Sequence, residues 1–383
     1  MKRILLIAAG FIGLLVVAAL VVPFLVPKDV YRNQIEKAAT NALQRDVTLT
    51  GDVKISVFPR IAASIGGVTV ANPEGFDRPN MIEAGELRGS VKWLPLLSRR
   101  VDVQEIAFVD ASVDLHRKAD GTANWEFASS SEPTDTPEQS GGGFDAGIAS
   151  ARLQNASLTY RDDAAGSTYE LKELDLQASM QAMNQPVDIK ASGLFQGEKF
   201  DVTLDLDSPE ALTGGTPASA KFALQSALVT ANYDGSVTMG DASAIAGTLT
   251  LSAPSILDLT KFADVDMPYN VAPLGSADMK ATLSGSLVAP QINFETLAIK
   301  GKLIDAGYTG TVSLGEAIMV DGKLSAVLPQ AGDLATEMGI ELPAADALER
   351  VEIKGGISGP VDALNLANLN VTHTGALLNA SYM

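Results

Sequence analysis

The sequence predicts a mostly β protein with one N-terminal transmembrane helix, followed by an elongated, curved antiparallel sheet with short helices. Three observations predict this fold class. Residues 4–26 form an uncharged apolar segment. Beyond residue 50, apolar and polar residues alternate with a period of two, as in strands with one buried face. In the C-terminal half, characteristic positions recur about every 75 residues, which is typical of stacked structural repeats.

Composition excludes several classes of partner and site. The chain has 383 residues, a formal net charge of −18 and no cysteine. An acidic body repels phosphate backbones, so we expect no nucleic-acid partner, and it disfavours docking of a basic patch on an anionic bilayer. The absence of cysteine excludes disulfides and thiolate metal sites.

The N-terminal apolar segment has the length of a membrane span. About 20 apolar residues cross the hydrocarbon core of a bilayer, and residues 4–26 exceed that number. Lys2 and Arg3 precede the segment, so the positive-inside rule places residues 1–3 in the cytoplasm and the rest of the chain outside it. The alternative is a cleaved signal peptide, but its apolar part is usually about 7–15 residues long. We therefore predict a single-pass anchor in the inner membrane.

Strand-like alternation begins after one helix. Asp29 is placed to cap a helix that runs to about Arg45. Beyond it, apolar residues alternate with polar ones at Val53/Ile55, Val101/Val103, Val113/Leu115, Val202/Leu204/Leu206, Leu249/Leu251, Leu297/Ile299 and Leu369/Val371.

A polar segment divides the exported part of the chain. Residues 128–143 read ASSSEPTDTPEQSGGG and offer almost no apolar surface to bury, which predicts a flexible linker. It separates an N-terminal module, residues 28–127, from a repeated array, residues 144–383.

The array repeats with a constant register. An Ala-x-Tyr sequence recurs at Tyr233, Tyr308 and Tyr382. At an offset of 75, Gly235, Gly247, Leu249 and Pro254 correspond to Gly310, Gly322, Leu324 and Pro329. Each unit predicts several strands joined by glycine-centred turns and a short helix after Pro254 or Pro329. The last copy stops at Tyr382, so we expect the array to end in mid-repeat and the chain to be a fragment or a truncated protein.

The N-terminal module resembles the AsmA family. The resemblance includes the apolar segment and the helix that follows it, and three groups of residues: Gly51-Asp52 before Phe58-Pro59; Gly67-Val-Thr-Val-Ala-Asn72-Pro73-Glu-Gly75-Phe76; and Trp93-Leu-Pro95. It continues through Leu115-His116-Arg-Lys-Ala-Asp120-Gly121-Thr-Ala-Asn124-Trp125. The order and spacing of these groups over about 125 residues carry it, and the repeated array is similar to the family's C-terminal region.

The resemblance implies a role in the envelope of Gram-negative bacteria. Such proteins are similar in architecture to chorein-type bridge-like lipid transfer proteins, in which repeated strands form a groove. They are implicated in phospholipid movement between the inner and outer membranes and in outer-membrane integrity. The implied partners are phospholipid, the inner membrane, and outer-membrane or periplasmic proteins.

The alternating strands supply candidates for the lining of such a groove. They are Val53, Ile55, Val202, Leu204, Leu249, Leu251, Leu297 and Ile299. Within each strand these residues share one face, but alternation does not tell whether that face is open or packed against another sheet. Alternation alone favours the closed sandwich core, whereas the anchor, the repeats and the family resemblance favour the open groove.

Catalytic motifs are absent from the sequence. His116 and His373 lie 257 residues apart, and no nucleophile elbow or phosphate-binding loop is present. Gly51-Asp52, Asn72-Pro73 and Asp120-Gly121 are typical of turns. We therefore expect no enzyme, cofactor or metal site. The alternatives are a structural envelope scaffold with a closed core, and an anchored hydrolase, which requires a convergent polar pocket.

The topology is directly testable. Alkaline phosphatase, which is active only outside the cytoplasm, should be active when fused after Met383, because the charges before the span retain only residues 1–3. Activity at the same position from a reporter that works only in the cytoplasm would contradict the predicted orientation.

Overall fold

A computed structural model describes residues 28–56, 61–92, 102–126, 149–240, 242–341, 348–373 and 376–380. These residues form nineteen strands, four α-helices and one 3₁₀ turn, so the predicted mostly β class is confirmed. The predicted membrane segment, residues 4–26, and the predicted linker, residues 128–143, lie outside the described residues. Within the described part of the chain, no helix combines the length and apolarity that crossing a membrane requires.

The chain divides into two compact units. The first comprises residues 1–182 and 191–198, and the second residues 183–190 and 199–383, so the division falls within strand β8 (Val187–Phe195). The elements of the first unit are α1 (Lys28–Leu43), β1 (Val47–Leu49), β2 (Val53–Ser56), β3 (Ile61–Ala71), β4 (Asn80–Val91), β5 (Val103–Arg117), β6 (Ser150–Asp162) and β7 (Ser167–Met180).

Helix α1, which the sequence predicts, caps the free edge of the first strand. β1 pairs with β3 along one side only. On its other side, the Thr40 hydroxyl accepts a hydrogen bond from the backbone N–H of Val47 (3.1 Å), and the Glu36 carboxylate accepts one from the N–H of Leu49 (2.7 Å). The Arg32 guanidinium donates to the carbonyl of Gly51 at 2.9 Å. Residues four apart share one face of a helix, so α1 satisfies backbone groups that would otherwise template pairing with another strand.

The sheet of the first unit is antiparallel except at one pair. β3 pairs with β4, β4 with β5, and β6 with β7, all antiparallel, whereas β5 and β6 run parallel. Parallel neighbours need a long connection between them, and residues 118–149 separate β5 from β6 in the sequence. As a result, β6 and β7 belong to the first unit, although they follow the boundary at residues 128–143 predicted from the sequence.

A line of backbone irregularities crosses the first unit. Four residues, on strands β3, β5, β6 and β7, have positive φ angles: Gly67 (59°), Asp110 (51°), Asn155 (51°) and Glu173 (50°). At these points the spacing of inward side chains changes from two to three residues, so that Ile65 and Val68 both enter one cluster. Because the strands change together, the cluster stays on one face. Its buried members are Leu49, Val53, Ile65, Val68, Ala84, Ala111 and Ala156.

The second unit is an antiparallel meander. Its strands, each paired with the next, are β9 (Glu198–Leu206), β10 (Ala218–Ser226), β11 (Thr230–Thr238), β12 (Ala244–Ala253), β13 (Ser276–Gly285), β14 (Pro290–Lys300), β15 (Asp305–Ser313), β16 (Met319–Leu328), β17 (Val351–Pro360), β18 (Asn365–His373) and β19 (Ala376–Ala380). Helix α2 (Pro209–Thr213) follows β9. The short helices predicted after Pro254 and Pro329 are confirmed as α3 (Ile256–Phe262) and α4 (Ala331–Met338), and a 3₁₀ turn (Ala272–Leu274) precedes β13.

Packing of a tyrosine on a pair of glycines explains the sequence repeat. Gly235 on β11 pairs directly with Gly247 on β12. The hydroxyl of Tyr233 lies 2.9 Å from the carbonyl oxygen of Ser236 and 3.1 Å from that of Ala246, so the ring crosses this pair. A Cβ atom added to Gly247 would meet the Tyr233 ring at 2.9 Å. Glycine is therefore required for the ring to lie on the sheet.

The next copy reproduces this packing. Gly310 pairs with Gly322, and the hydroxyl of Tyr308 lies 3.1 Å from the carbonyl oxygen of Thr311 and 3.2 Å from that of Asp321. Burial raises the pKa of both Tyr233 and Tyr308. Tyr382, the third copy, lies outside the described residues. The offset of 75 residues between the two described copies thus preserves a backbone–ring contact as well as a hydrophobic pattern.

Substitution tests the role of the glycine pair. Gly247→Ala should lower the free energy of unfolding by about 1–3 kcal/mol, because the added methyl would lie 2.6 Å from the carbonyl oxygen of Asp234 and from the Cα of Gly235, and 2.9 Å from the Tyr233 ring. The measurement is urea unfolding followed by far-UV circular dichroism. Gly89→Ala on β4 is the matched control, since a Cβ there has no neighbour within 4 Å. Equal midpoints for the two variants would show that the contact does not stabilise the repeat.

Candidate functional site

The strand register assigns each side chain of the second unit to a face. Residues paired directly across a ladder point to the same side of a sheet. Following the pairs from β9 to β16 shows that one side is almost wholly apolar. We call it the apolar stripe: Val202, Leu204, Phe222, Leu224, Tyr233, Leu249, Leu251, Met279, Phe294, Leu297, Ile299, Tyr308 and Leu324.

The structure brings six of the eight residues predicted from the sequence onto this stripe. They come from three strands, β9, β12 and β14, in pairs: Val202 and Leu204, Leu249 and Leu251, Leu297 and Ile299. Intervening strands connect the pairs without a change of face. For example, Leu204 pairs with Phe222, Phe222 with Tyr233, and Tyr233 with Leu249.

The opposite face of the second unit is polar, and we call it the polar face. One row of directly paired residues on it reads Lys221, Asp234, Thr248, Thr282, Asn293, Thr311, Asp321 and Ser358. Lys221 and Asp234 form an ion pair at 3.3 Å. The second unit therefore separates apolar from polar side chains across the thickness of a single sheet.

The apolar stripe is only half-buried. None of its residues belongs to the buried core, and Leu324 is 36% exposed. The described helices of this unit pack near strand ends: α2 against β10 and β11, and α3 and α4 against the 3₁₀ turn. A sandwich core would bury these side chains almost completely, so the arrangement of the described residues is that of an uncovered face.

The other two predicted residues have a different environment. Val53 is 1% exposed and belongs to the closed cluster of the first unit. Ile55, its neighbour on β2, packs against that cluster and is half-buried. The same period-two pattern thus produces a closed core in one unit and an uncovered face in the other.

Exposed apolar side chains also occupy the hairpin loops at one end of the second unit. Sequence reasoning missed these apolar tips, although in loops such as 286–289 (SLVA) three of the four residues are apolar. The tips are Met239, Leu287, Val288, Ile318, Val361 and Leu364, together with Met319 at the start of β16, and Val288 is 86% exposed. Adjacent loops bond to one another: the N–H of Leu287 donates to Ser243 (3.3 Å), and that of Val361 to Ile318 (3.0 Å).

In the first unit, a hydrogen-bond network joins Asn124 to Asn72, Asp114 and His116. Asn124 is fully buried; its side-chain oxygen accepts from the N–H of His116 at 2.9 Å. Its amide donates to the Asp114 carbonyl (2.7 Å) and to the Asn72 side-chain oxygen (2.8 Å). His116 in turn lies 2.8 Å from the Asp163 carboxylate through its Nε2 atom. Asn124 therefore ties the β3–β4 loop to β5, which is a structural role.

Loss of this hydrogen-bond network should destabilise the first unit. Asn124→Ala leaves the buried N–H of His116, the buried carbonyl of Asp114 and the half-buried side-chain oxygen of Asn72 without their partner, and we expect a loss of about 1–3 kcal/mol in unfolding free energy. Asn232→Ala is the control, because Asn232 is exposed and its side chain makes one long hydrogen bond of 3.5 Å. If thermal unfolding of the two variants coincides, Asn124 does not tie the loop to the strand.

A family model described as AsmA family matches residues 1–344. A search of curated proteins finds no match, and a search of solved structures finds none either.

Proposed function

We propose, because the chain belongs to the AsmA family, that it is an inner-membrane-anchored periplasmic protein that shields phospholipid acyl chains. In this proposal it takes part in phospholipid transport between the inner and outer membranes and so in outer-membrane integrity. The observation that carries the proposal is the apolar stripe, which is continuous across strands yet only half-buried. A groove formed by the stripe, as the family resemblance implies, belongs to the proposal.

Energetics explain why such a face suits acyl chains. Exposing an acyl chain to water costs about 0.8 kcal/mol for each CH₂ group. One leaflet of the hydrocarbon core is about 15 Å thick, which corresponds to about three strand spacings of roughly 4.8 Å. The stripe crosses strands β9 to β16, so it has room for several chains lying across the strands.

The polar face complements this role. A sheet with one uncovered apolar face remains in solution only if its other surfaces interact well with water, and the net charge of −18 also opposes self-association. The proposal requires no catalytic group, cofactor or metal. It requires only that phospholipid can pass between a bilayer and the apolar stripe.

The second candidate function is a structural or regulatory envelope scaffold that affects outer-membrane protein assembly without lipid transfer. The apolar tips favour it, because contiguous exposed apolar residues commonly mark protein-binding surfaces. In that case a partner protein, rather than lipid, covers exposed apolar surface.

Lipid content measured on matched variants tests the proposal. The double variant Leu249→Asp/Leu251→Asp places charges on the stripe, and Thr248→Asp/Thr250→Asp places them on the polar face of the same strand, β12. Each full-length protein is purified in detergent, delipidated, reloaded with phospholipid, and analysed by lipid extraction and mass spectrometry. We expect the stripe variant to lose most of its bound phospholipid, because a carboxylate repels acyl chains, and the control to retain wild-type levels.

Circular dichroism and thermal unfolding accompany this measurement. The stripe variant should fold as the control does, because an uncovered face leaves the carboxylates in water. Unfolding of the stripe variant alone would mean that the stripe is a closed core. Failure of the wild-type protein to retain phospholipid would leave the scaffold as the function.

A further inference from the structure

The polar face of the second unit contains a cleft. It has a volume of about 570 Å³ and crosses strands β14 to β18. The side chains that contribute polar groups to it include Thr309, Lys323, Ser325, Lys354, Asn368 and Asn370. Leu297 and Leu324 contribute only backbone, because their side chains project to the apolar stripe.

The charge of the cleft is opposite to that of the chain. Lys323 and Lys354 are its only charged lining residues, in a protein with 46 acidic and 28 basic residues. No salt bridge joins either lysine to a carboxylate among the described residues. At the margin of the cleft, by contrast, Lys280 is neutralised by Glu295 at 2.5 Å.

The two lysines are also close to each other. Lys323 on β16 pairs with Gly356, and Lys354 on β17 pairs with Ser325, so the two lysines occupy diagonal positions on one face. Like charges in such positions repel each other. An anion between them would relieve this repulsion.

The backbone opens and shapes the cleft. Register shifts, the mark of β-bulges, occur on β14 between Phe294 and Leu297 and on β17 between Lys354 and Gly356. Opposite the second shift, Asn368 has a positive φ of 51°. Bulges re-aim side chains and are common beside binding sites. Gly356 adds no side chain, so the floor between the lysines stays open.

We propose that this cleft binds the phosphate group of a phosphorylated polyol. The two ammonium groups match the charge of the phosphate, and hydroxyl and amide groups of Thr309, Ser325 and Asn370 match the hydroxyls of a polyol. A free phosphate ion would fill only a small part of the volume. The cleft opens on the face opposite the apolar stripe, so its ligand is not a lipid whose acyl chains lie on the stripe.

Calorimetric titration of the full-length protein in a neutral detergent at low ionic strength tests the proposal. Glycerol 3-phosphate should bind with a dissociation constant on the order of millimolar, inorganic phosphate more weakly, and glycerol without measurable heat. Lys323→Gln/Lys354→Gln should weaken the binding of glycerol 3-phosphate by about tenfold or more. Lys199→Gln/Lys221→Gln removes the same charge from exposed lysines of β9 and β10 and should leave the affinity within about twofold.

Two arms distinguish the source of the phosphate. Dihexanoyl phosphatidylglycerol carries the phosphate and polyol as a lipid headgroup, and dihexanoyl phosphatidylcholine carries choline in place of the headgroup glycerol. If Lys323→Gln/Lys354→Gln weakens the binding of phosphatidylglycerol alone, the ligand is a lipid headgroup. If the same variant weakens the binding of glycerol 3-phosphate alone, the ligand is a soluble molecule. If the two lysine double variants bind every one of these ligands with equal affinity, the cleft is not the binding site. If inorganic phosphate binds as tightly as glycerol 3-phosphate, the cleft does not recognise the polyol part of the ligand.

Discussion

Continuous antiparallel register is the constraint on which the second unit depends. A strand alternates its side chains between two faces, so a slip of one residue would move every apolar side chain of that strand to the polar face. Ten successive ladders, from β9 to β19, connect the strands of this unit. Where β14 has an irregular register, Phe294 and Leu297 remain paired with apolar-face partners, so the stripe continues across the irregularity.

The packing of tyrosine on glycine helps to set this register. Tyr233 and Tyr308 lie across glycine pairs that face each other only when neighbouring strands are aligned correctly. A displacement of one residue would put a side chain beneath the ring and remove the bonds of the hydroxyl. The large conformational entropy that glycine loses on folding is thus offset by a specific alignment, which is why glycines and tyrosines recur together in the repeat.

The two units differ in how far the apolar face of their sheet is buried. In the first unit, aligned positive-φ residues keep apolar side chains in one closed cluster, and α1 satisfies the edge of β1. In the second unit the described helices lie near strand ends, and the face stays half-exposed. An uncovered face has a cost in free energy, since its apolar surface is still partly hydrated, and that cost is recovered only when a ligand or a partner covers it. This difference is why the lipid proposal rests on Leu249, Leu251 and their neighbours rather than on Val53.

The sequence by itself determined the class of fold, the helix after the apolar segment, the short helices after Pro254 and Pro329, and the face that each candidate residue shares within its strand. These features depend on local periodicity and on backbone preferences, which neighbouring residues decide. Only the tertiary structure decided that β6 lies parallel to β5, that Val53 is closed off while Leu249 is not, and that Lys323, Lys354 and Asn368 line one cleft. A period of two states which residues share a side of one strand, but carries no information about which strands become neighbours. Burial and the meeting of charges depend on that choice of neighbours.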